Sequence, residues 1–133
     1  MKYFIDTNVL LNAILFPNGD INTFLQRIIM NEEIVLSTYV IDEIRGICRK
    51  KYLDKRKDFE MYIASIISKF GIFESVQPEM NILLELEDKN EDRIIIDAIM
   101  SGSDYLITDD EEYVDIDLEK PKIIFPSDFN KIV

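Results

Sequence analysis

Histidine is absent from this chain. Its absence removes Ser-His and Cys-His catalysis, imidazole-based zinc sites and histidine general bases. Any hydrolytic chemistry must then rest on carboxylates, with a metal as the natural companion. Cysteine is nearly absent too. Cys48 stands alone, so no intramolecular disulfide can form and a reducing cytoplasm is the expected setting. Long apolar runs are missing. The opening MKYFIDTNVLLNAILF is broken by Asp6, Asn8 and Asn12, so it lacks the uninterrupted stretch of a signal peptide or membrane span. Positive charge is scarce: 15 Lys and Arg stand against 26 Asp and Glu, a net charge of −11. Such a chain repels a polyanion at long range. Two features soften the repulsion. Acids that sit on a bound metal are neutralised, and the cations are concentrated: Arg45, Arg49, Lys50, Lys51, Lys55, Arg56 and Lys57 fall in one stretch, interrupted by Asp54.

What is present suits one soluble globular domain spanning 1–133, with 47% hydrophobic and 31% charged residues. A domain of this size removes roughly two-thirds of its extended-chain surface from water and needs no covalent staple. No repeat, linker or low-complexity segment interrupts it. Strands are expected at Lys2 to Ile5, Ile34 to Ser37, Ile72 to Glu74, Tyr105 to Ile107 and Lys122 to Phe125. Between them the apolar residues recur at helical spacing. One helix carries Ile21, Phe24, Leu25, Ile28 and Ile29, with Asp20 as N-cap. A second runs from Thr38 and a third from Asp54 to Phe70. A short helix is expected within 78–89, another helix from Asn90 to Ser101, and a helical turn from Pro126 to the end. Alternating strands and helices imply crossover connections: a three-layer α/β/α sandwich, Rossmann-like, around a mainly parallel sheet of about five strands. In such sheets the site lies beyond the carboxyl ends of the strands.

Four acids can converge there. Asp6 directly follows the first strand and Asp110 follows the fourth, so both belong to that edge; taken singly, each is more simply a helix or turn cap. Glu43 lies at the rim of an apolar arc formed by Val40, Ile41, Ile44, Ile47 and Cys48, whereas Asp42 points to solvent. In the later helix, Asp92 falls near the start, where the dipole favours a carboxylate. Asp97 is placed on the opposite, solvated side. Carboxylates packed together raise one another's pKa unless a cation lies among them. Oxygen-only ligands suit Mg²⁺ or Mn²⁺, which can activate water for in-line attack on phosphate. Thr7 can contact metal-held water or cap a helix, and Ser37 and Thr38 are expected to cap the Glu43 helix. Tyr39 and Tyr52 flank the basic stretch and can stack on bases, although boundary aromatics need no such role. Arg45, Arg49 and Lys50 are candidate phosphate contacts, or a solvated face paired with Asp42 and its neighbours. Cys48 belongs to the core.

At these residues the sequence resembles the PIN-domain family, specifically toxin components of toxin–antitoxin systems related to VapC-type ribonucleases. FIDTNVLLNAIL resembles the family's opening and LSTYVIDEI its Ser-then-Glu helix, six positions apart from Ser37 to Glu43. DRIIIDAIMSGSDYLITDD resembles its closing pair, with sixteen positions from Asp92 to Thr108 and two more to Asp110. PSDFNKIV is similar to its terminal helix. The resemblance implies an acidic metal-binding cluster of Asp6, Glu43, Asp92 and Asp110, with Asn8 and Thr108 in supporting polar roles. It implies endonucleolytic RNA cleavage leaving a 5′-phosphate and a 3′-hydroxyl, a homodimer, and a cognate antitoxin. Asp109 stands where the family often has a small residue; spacing favours Asp110 as the acid facing the metal. Two other classes compete: a non-catalytic PIN-like interaction module, and a phospho-accepting receiver-type domain. The receiver type needs paired acids at the first strand and an acceptor Asp after the third, where this chain has Glu74-Ser75.

Overall fold

A computed structural model describes residues 1–75 and 93–128. The strands are β1 (Lys2–Ile5), β2 (Glu33–Ser37), β3 (Gly71–Phe73), β4 (Tyr105–Ile107) and β5 (Lys122–Ile124). The helices are α1 (Thr7–Leu15), α2 (Asp20–Asn31), α3 (Thr38–Lys51), α4 (Arg56–Lys69) and α5 (Arg93–Met100). The strands form one sheet in the order β3-β2-β1-β4-β5, and every pairing is parallel. Flanking helices complete the expected α/β architecture.

The composition of the strands explains their central position. Tyr3, Phe4 and Ile5 of β1, Ile34, Val35 and Leu36 of β2, and Leu106 and Ile107 of β4 are all buried. Continuous apolar runs, rather than alternating ones, mark strands covered on both faces. Burying each such side chain contributes about 1.5–3 kcal/mol before the cost of ordering the chain. The outer strands are less enclosed: Ile72 and Lys122 face solvent. Helices α1, α2, α3 and α4 pack on one another, and α5 rests against α3 and β4. Gly102, with φ +71°, turns the chain out of α5, a left-handed conformation that glycine adopts without strain.

Local chemistry shifts some boundaries. Gly19 takes the cap position of α2 and Asp20 is its first helical residue, so the expected Asp20 cap moves by one position. Its charge still favours the helix N-terminus. The third helix divides into a 3₁₀ turn, Leu53–Lys55, and α4. Ser37 caps α3 as expected, its Oγ accepting from the Val40 amide at 3.2 Å. Thr38 instead accepts the Ser75 amide at 3.0 Å, joining the end of β3 to the start of α3. The helix expected within 78–89, the first residues of the 90–101 helix, and the end of the terminal turn lie outside the described residues. Pro126–Asp128 forms a 3₁₀ turn.

Gly46 lies in the interior of α3, where glycine costs backbone entropy. Outside the helix's own backbone and among the described residues, a Cβ at that position meets only the Arg49 guanidinium, at 3.9 Å. Gly46→Ala is therefore expected to raise the unfolding free energy by about 0.5–1 kcal/mol. Urea denaturation would measure this; an unchanged or lowered midpoint would refute it.

Candidate active site

The chain builds outward from β1 in one direction, through β2 to β3, and then returns to place β4 on the other side of β1. The strand order reverses between β1 and β4, and such a switch point opens a crevice at the strands' carboxyl ends. Register fixes what lies there. Ile5 pairs with Ile107, so the next residues, Asp6 and Thr108, emerge side by side. The Asp6 amide donates to the Ile107 carbonyl at 3.0 Å, and the Thr108 hydroxyl donates to Asp6 Oδ2 at 2.6 Å. Thr108 is fully buried and Asp6 is 5% exposed. Asp6 occupies the cap position of α1, but its side chain caps no α1 amide. The carboxylate is committed to the crevice, and the simple capping explanation fails for it.

The same hydroxyl of Thr108 accepts from the Asp110 amide at 3.1 Å. Asp110 in turn caps the following 3₁₀ turn, Oδ1 accepting from the Glu112 amide at 3.0 Å. Asp110 lines the cavity, while its neighbour Asp109 is exposed and does not. From the other side, Thr7 in the first turn of α1 donates to Glu43 Oε1 at 2.6 Å. This contact spans two helices and holds Glu43 towards β1. Asp42 is exposed, as its position on α3 predicts.

These groups enclose a cavity of about 360 Å³ lined by Asp6, Thr7, Asn8, Glu43 and Asp110, together with Tyr39 and Arg93. A larger hollow of about 610 Å³ touches Lys2, Glu32, Glu33 and Asp104. It lies at the amino ends of the strands, away from the switch point, so the smaller cavity is the better candidate. Of the four acids expected to converge, the structure brings Asp6, Glu43 and Asp110 to one cavity; Asp92 lies outside the described residues. Among the described residues, no three acids close tightly enough to form a metal cage by themselves. The donor set is nonetheless of the right chemistry: oxygen-only ligands suit Mg²⁺, which is usually held by one or two carboxylates with water completing its shell.

Asp97 departs from expectation. It is fully buried, not solvated. Oδ1 accepts from the Ser75 hydroxyl at 3.1 Å and lies 3.9 Å from Arg93 Nη1. Among the described residues, Oδ2 has no hydrogen-bond partner. Burial pushes the carboxyl pKa up, while the hydroxyls of Ser75 and Ser37 and the charge of Arg93 pull it down. Helical spacing correctly separated Asp97 from the broad apolar arc. The side it faces is not solvent, however, but the polar ends of β2 and β3.

Other assignments divide. Arg45 pairs with Glu60, with nitrogen–oxygen distances of 3.2 and 3.3 Å, rather than with Asp42. Arg49 and Lys50 are exposed, and none of the three basic residues lines the cavity. Tyr52 stacks on Phe59 with ring centroids 5.7 Å apart, whereas Tyr39 lines the cavity. Cys48 is buried, as a core residue should be. Arg93 was missed. Its signal was its place beside Asp92 and four residues before Asp97.

The fold and crevice define a Rossmann-like α/β protein with an acidic cavity at its switch point. Residues 2–112 match the family model described as PIN domain, and the chain belongs to that family. No curated protein matches the sequence. Among solved structures, the chain is similar to one chain of VapBC2 from Rickettsia felis, crystallised with a DNA fragment from their promoter. The TM-score is 0.72 at 21% identity, covering 94% of this chain and 98% of that one. The likeness is one of fold.

Proposed function

We propose that this chain is a single-domain, divalent-metal-dependent endoribonuclease of the PIN family, and the toxin of a toxin–antitoxin pair. The observation that carries the reading is the meeting of Asp6, Glu43 and Asp110 in one cavity at the switch point. Asp92, sixteen positions before Thr108, completes the proposed acidic set. These acids would hold Mg²⁺ or Mn²⁺, which would supply Lewis acidity toward water and phosphate.

The protein's own contribution is orientation. Thr108 fixes one oxygen of Asp6, and Thr7 fixes one oxygen of Glu43. Short hydrogen bonds to a carboxylate hold it in one rotamer. Asp110 is held by the turn that follows it, and Asn8 adds a polar group at the rim. Buried walls formed by Ile94 and Tyr113 limit water around the reacting phosphate. Tyr39 offers a half-exposed ring on which a base can stack. Lys50 follows Glu43 by seven residues, two turns further along nearly the same helix face, about 10 Å away. It extends a path for the RNA strand beyond the cavity, whereas Arg45 is held by Glu60 on another face of α3. The likeness to VapBC2 supports a cognate antitoxin partner. A homodimer acting in the cytoplasm completes the reading. Among the described residues, no helix is long and apolar enough to cross a membrane.

Purified protein incubated with end-labelled single-stranded RNA is expected to yield fragments bearing a 5′-phosphate in Mn²⁺ or Mg²⁺, and none after chelation. Cleavage that persists undiminished in excess chelator would overturn the metal-dependent assignment. No cleavage by folded, metal-loaded protein would overturn the nuclease assignment itself.

A further inference from the structure

We infer that Arg93 is a substrate-positioning residue that receives the phosphate of the nucleic-acid strand inside the acidic cavity. The inference rests on the nuclease reading above and adds to it a residue of opposite charge. Arg93 is the one cationic residue lining the cavity among the described residues; the acids there are Asp6, Glu43 and Asp110. A phosphodiester entering this cavity meets carboxylates on a chain of net charge −11. A fixed cation in the wall offsets that repulsion where it is strongest.

The placement of Arg93 is specific. Its side chain is 28% exposed, and Nη1 lies 3.9 Å from Oδ1 of the fully buried Asp97, one helical turn along α5. The guanidinium therefore lies between a buried acid and the cavity, largely withdrawn from solvent. Asp97 is in turn fixed by Ser75 at the end of β3, so the arrangement reaches back to the sheet. A preset side chain loses less freedom on binding than an exposed one. Arginine also presents a planar fork of donors that matches two phosphate oxygens, which lysine does not. The basic residues of α3 lack this placement. Arg45 is paired with Glu60 on the surface, and Arg49 and Lys50 are exposed outside the cavity.

The test is binding of a fluorescently labelled single-stranded oligoribonucleotide, followed by anisotropy across a salt series with Ca²⁺ as the divalent ion. Steady-state cleavage in Mn²⁺ is measured alongside. Arg93→Gln should weaken binding and raise KM by roughly tenfold or more, with a smaller fall in kcat, if a phosphate contact is lost. Its plot of log affinity against log salt should be shallower by about 0.7, the loss of one phosphate contact on a single strand. Arg93→Lys should keep the wild-type slope but bind more weakly, because charge remains and the fork is lost. Arg93→Gln with wild-type affinity and slope, in a protein whose parent cleaves RNA, overturns this inference and leaves the nuclease reading intact. A parent that neither binds nor cleaves RNA overturns both. Should Arg93→Gln fail to fold, Arg93→Lys decides: weaker binding at unchanged slope supports the inference, and wild-type affinity overturns it.

Discussion

Asp6→Asn is expected to leave a folded protein whose RNA cleavage falls on the order of 10²–10³-fold, the scale of losing one preorganised electrostatic group. The amide is nearly isosteric with the carboxylate and keeps an oxygen to accept from the Thr108 hydroxyl, so the 2.6 Å contact to Oδ2 survives in kind. What disappears is charge, and charge is what a divalent cation requires. Removing one of several neighbouring carboxylates also relieves repulsion, so the thermal midpoint should hold or rise. The two readouts must therefore diverge: turnover down, stability unchanged or higher. Thr108→Val gives an intermediate result. Asp6 keeps its charge but loses its orienting donor, a change expected to cost about 10–100-fold in activity. Turnover and thermal melts in Mn²⁺ measure both variants. An Asp6→Asn protein that cleaves at the parental rate would remove Asp6 from the proposed machinery.

Asp97→Asn carries the larger expected effect on stability. Asp97 is fully buried, and burial dominates the upward displacement of its pKa against the opposing pull of Ser75, Ser37 and Arg93. A carboxyl with a raised folded-state pKa is less favourable as the ion in the folded protein than in the unfolded chain. Its favourable contribution is complete below the unfolded value, near 3.8, and is lost as pH rises through the folded value. The amide has no such titration, and it retains an oxygen to accept from Ser75. Asp97→Asn should therefore be more stable than the parent at neutral pH, by on the order of 1 kcal/mol or about 4 °C. The advantage should shrink as pH falls towards about 4. Thermal melts of both proteins across that range would measure it. An advantage that grows on acidification would reverse the sign and show that Asp97 is a stabilised ion.

The residues themselves explain how far the sequence could be read. The strands announced themselves because they are short, apolar and bounded by polar residues, and the parallel order followed from the helices between them. Asp6 and Asp110 were legible because each immediately follows a strand, so topology alone assigned their edge. Glu43 was legible from its place on the rim of an apolar arc. The contacts that orient these acids were not legible. Thr7 meets Glu43 across 36 positions and Thr108 meets Asp6 across 102, and no local pattern encodes such pairings. Asp97 was misread for a related reason. Periodicity gives the direction in which a side chain leaves its helix, but not what stands in that direction. Arg93 was hidden because a lone arginine beside an acid has the ordinary appearance of a surface residue.

The outer strands of the sheet have a bearing on assembly. Both β3 and β5 are only three residues long. So brief an edge offers few open amides and carbonyls to an incoming strand, a common safeguard against stacking of sheets between molecules. Continuous β-structure shared with another chain would have little to grip. Helices and loops among the described residues offer a second chain more surface than these two edges do.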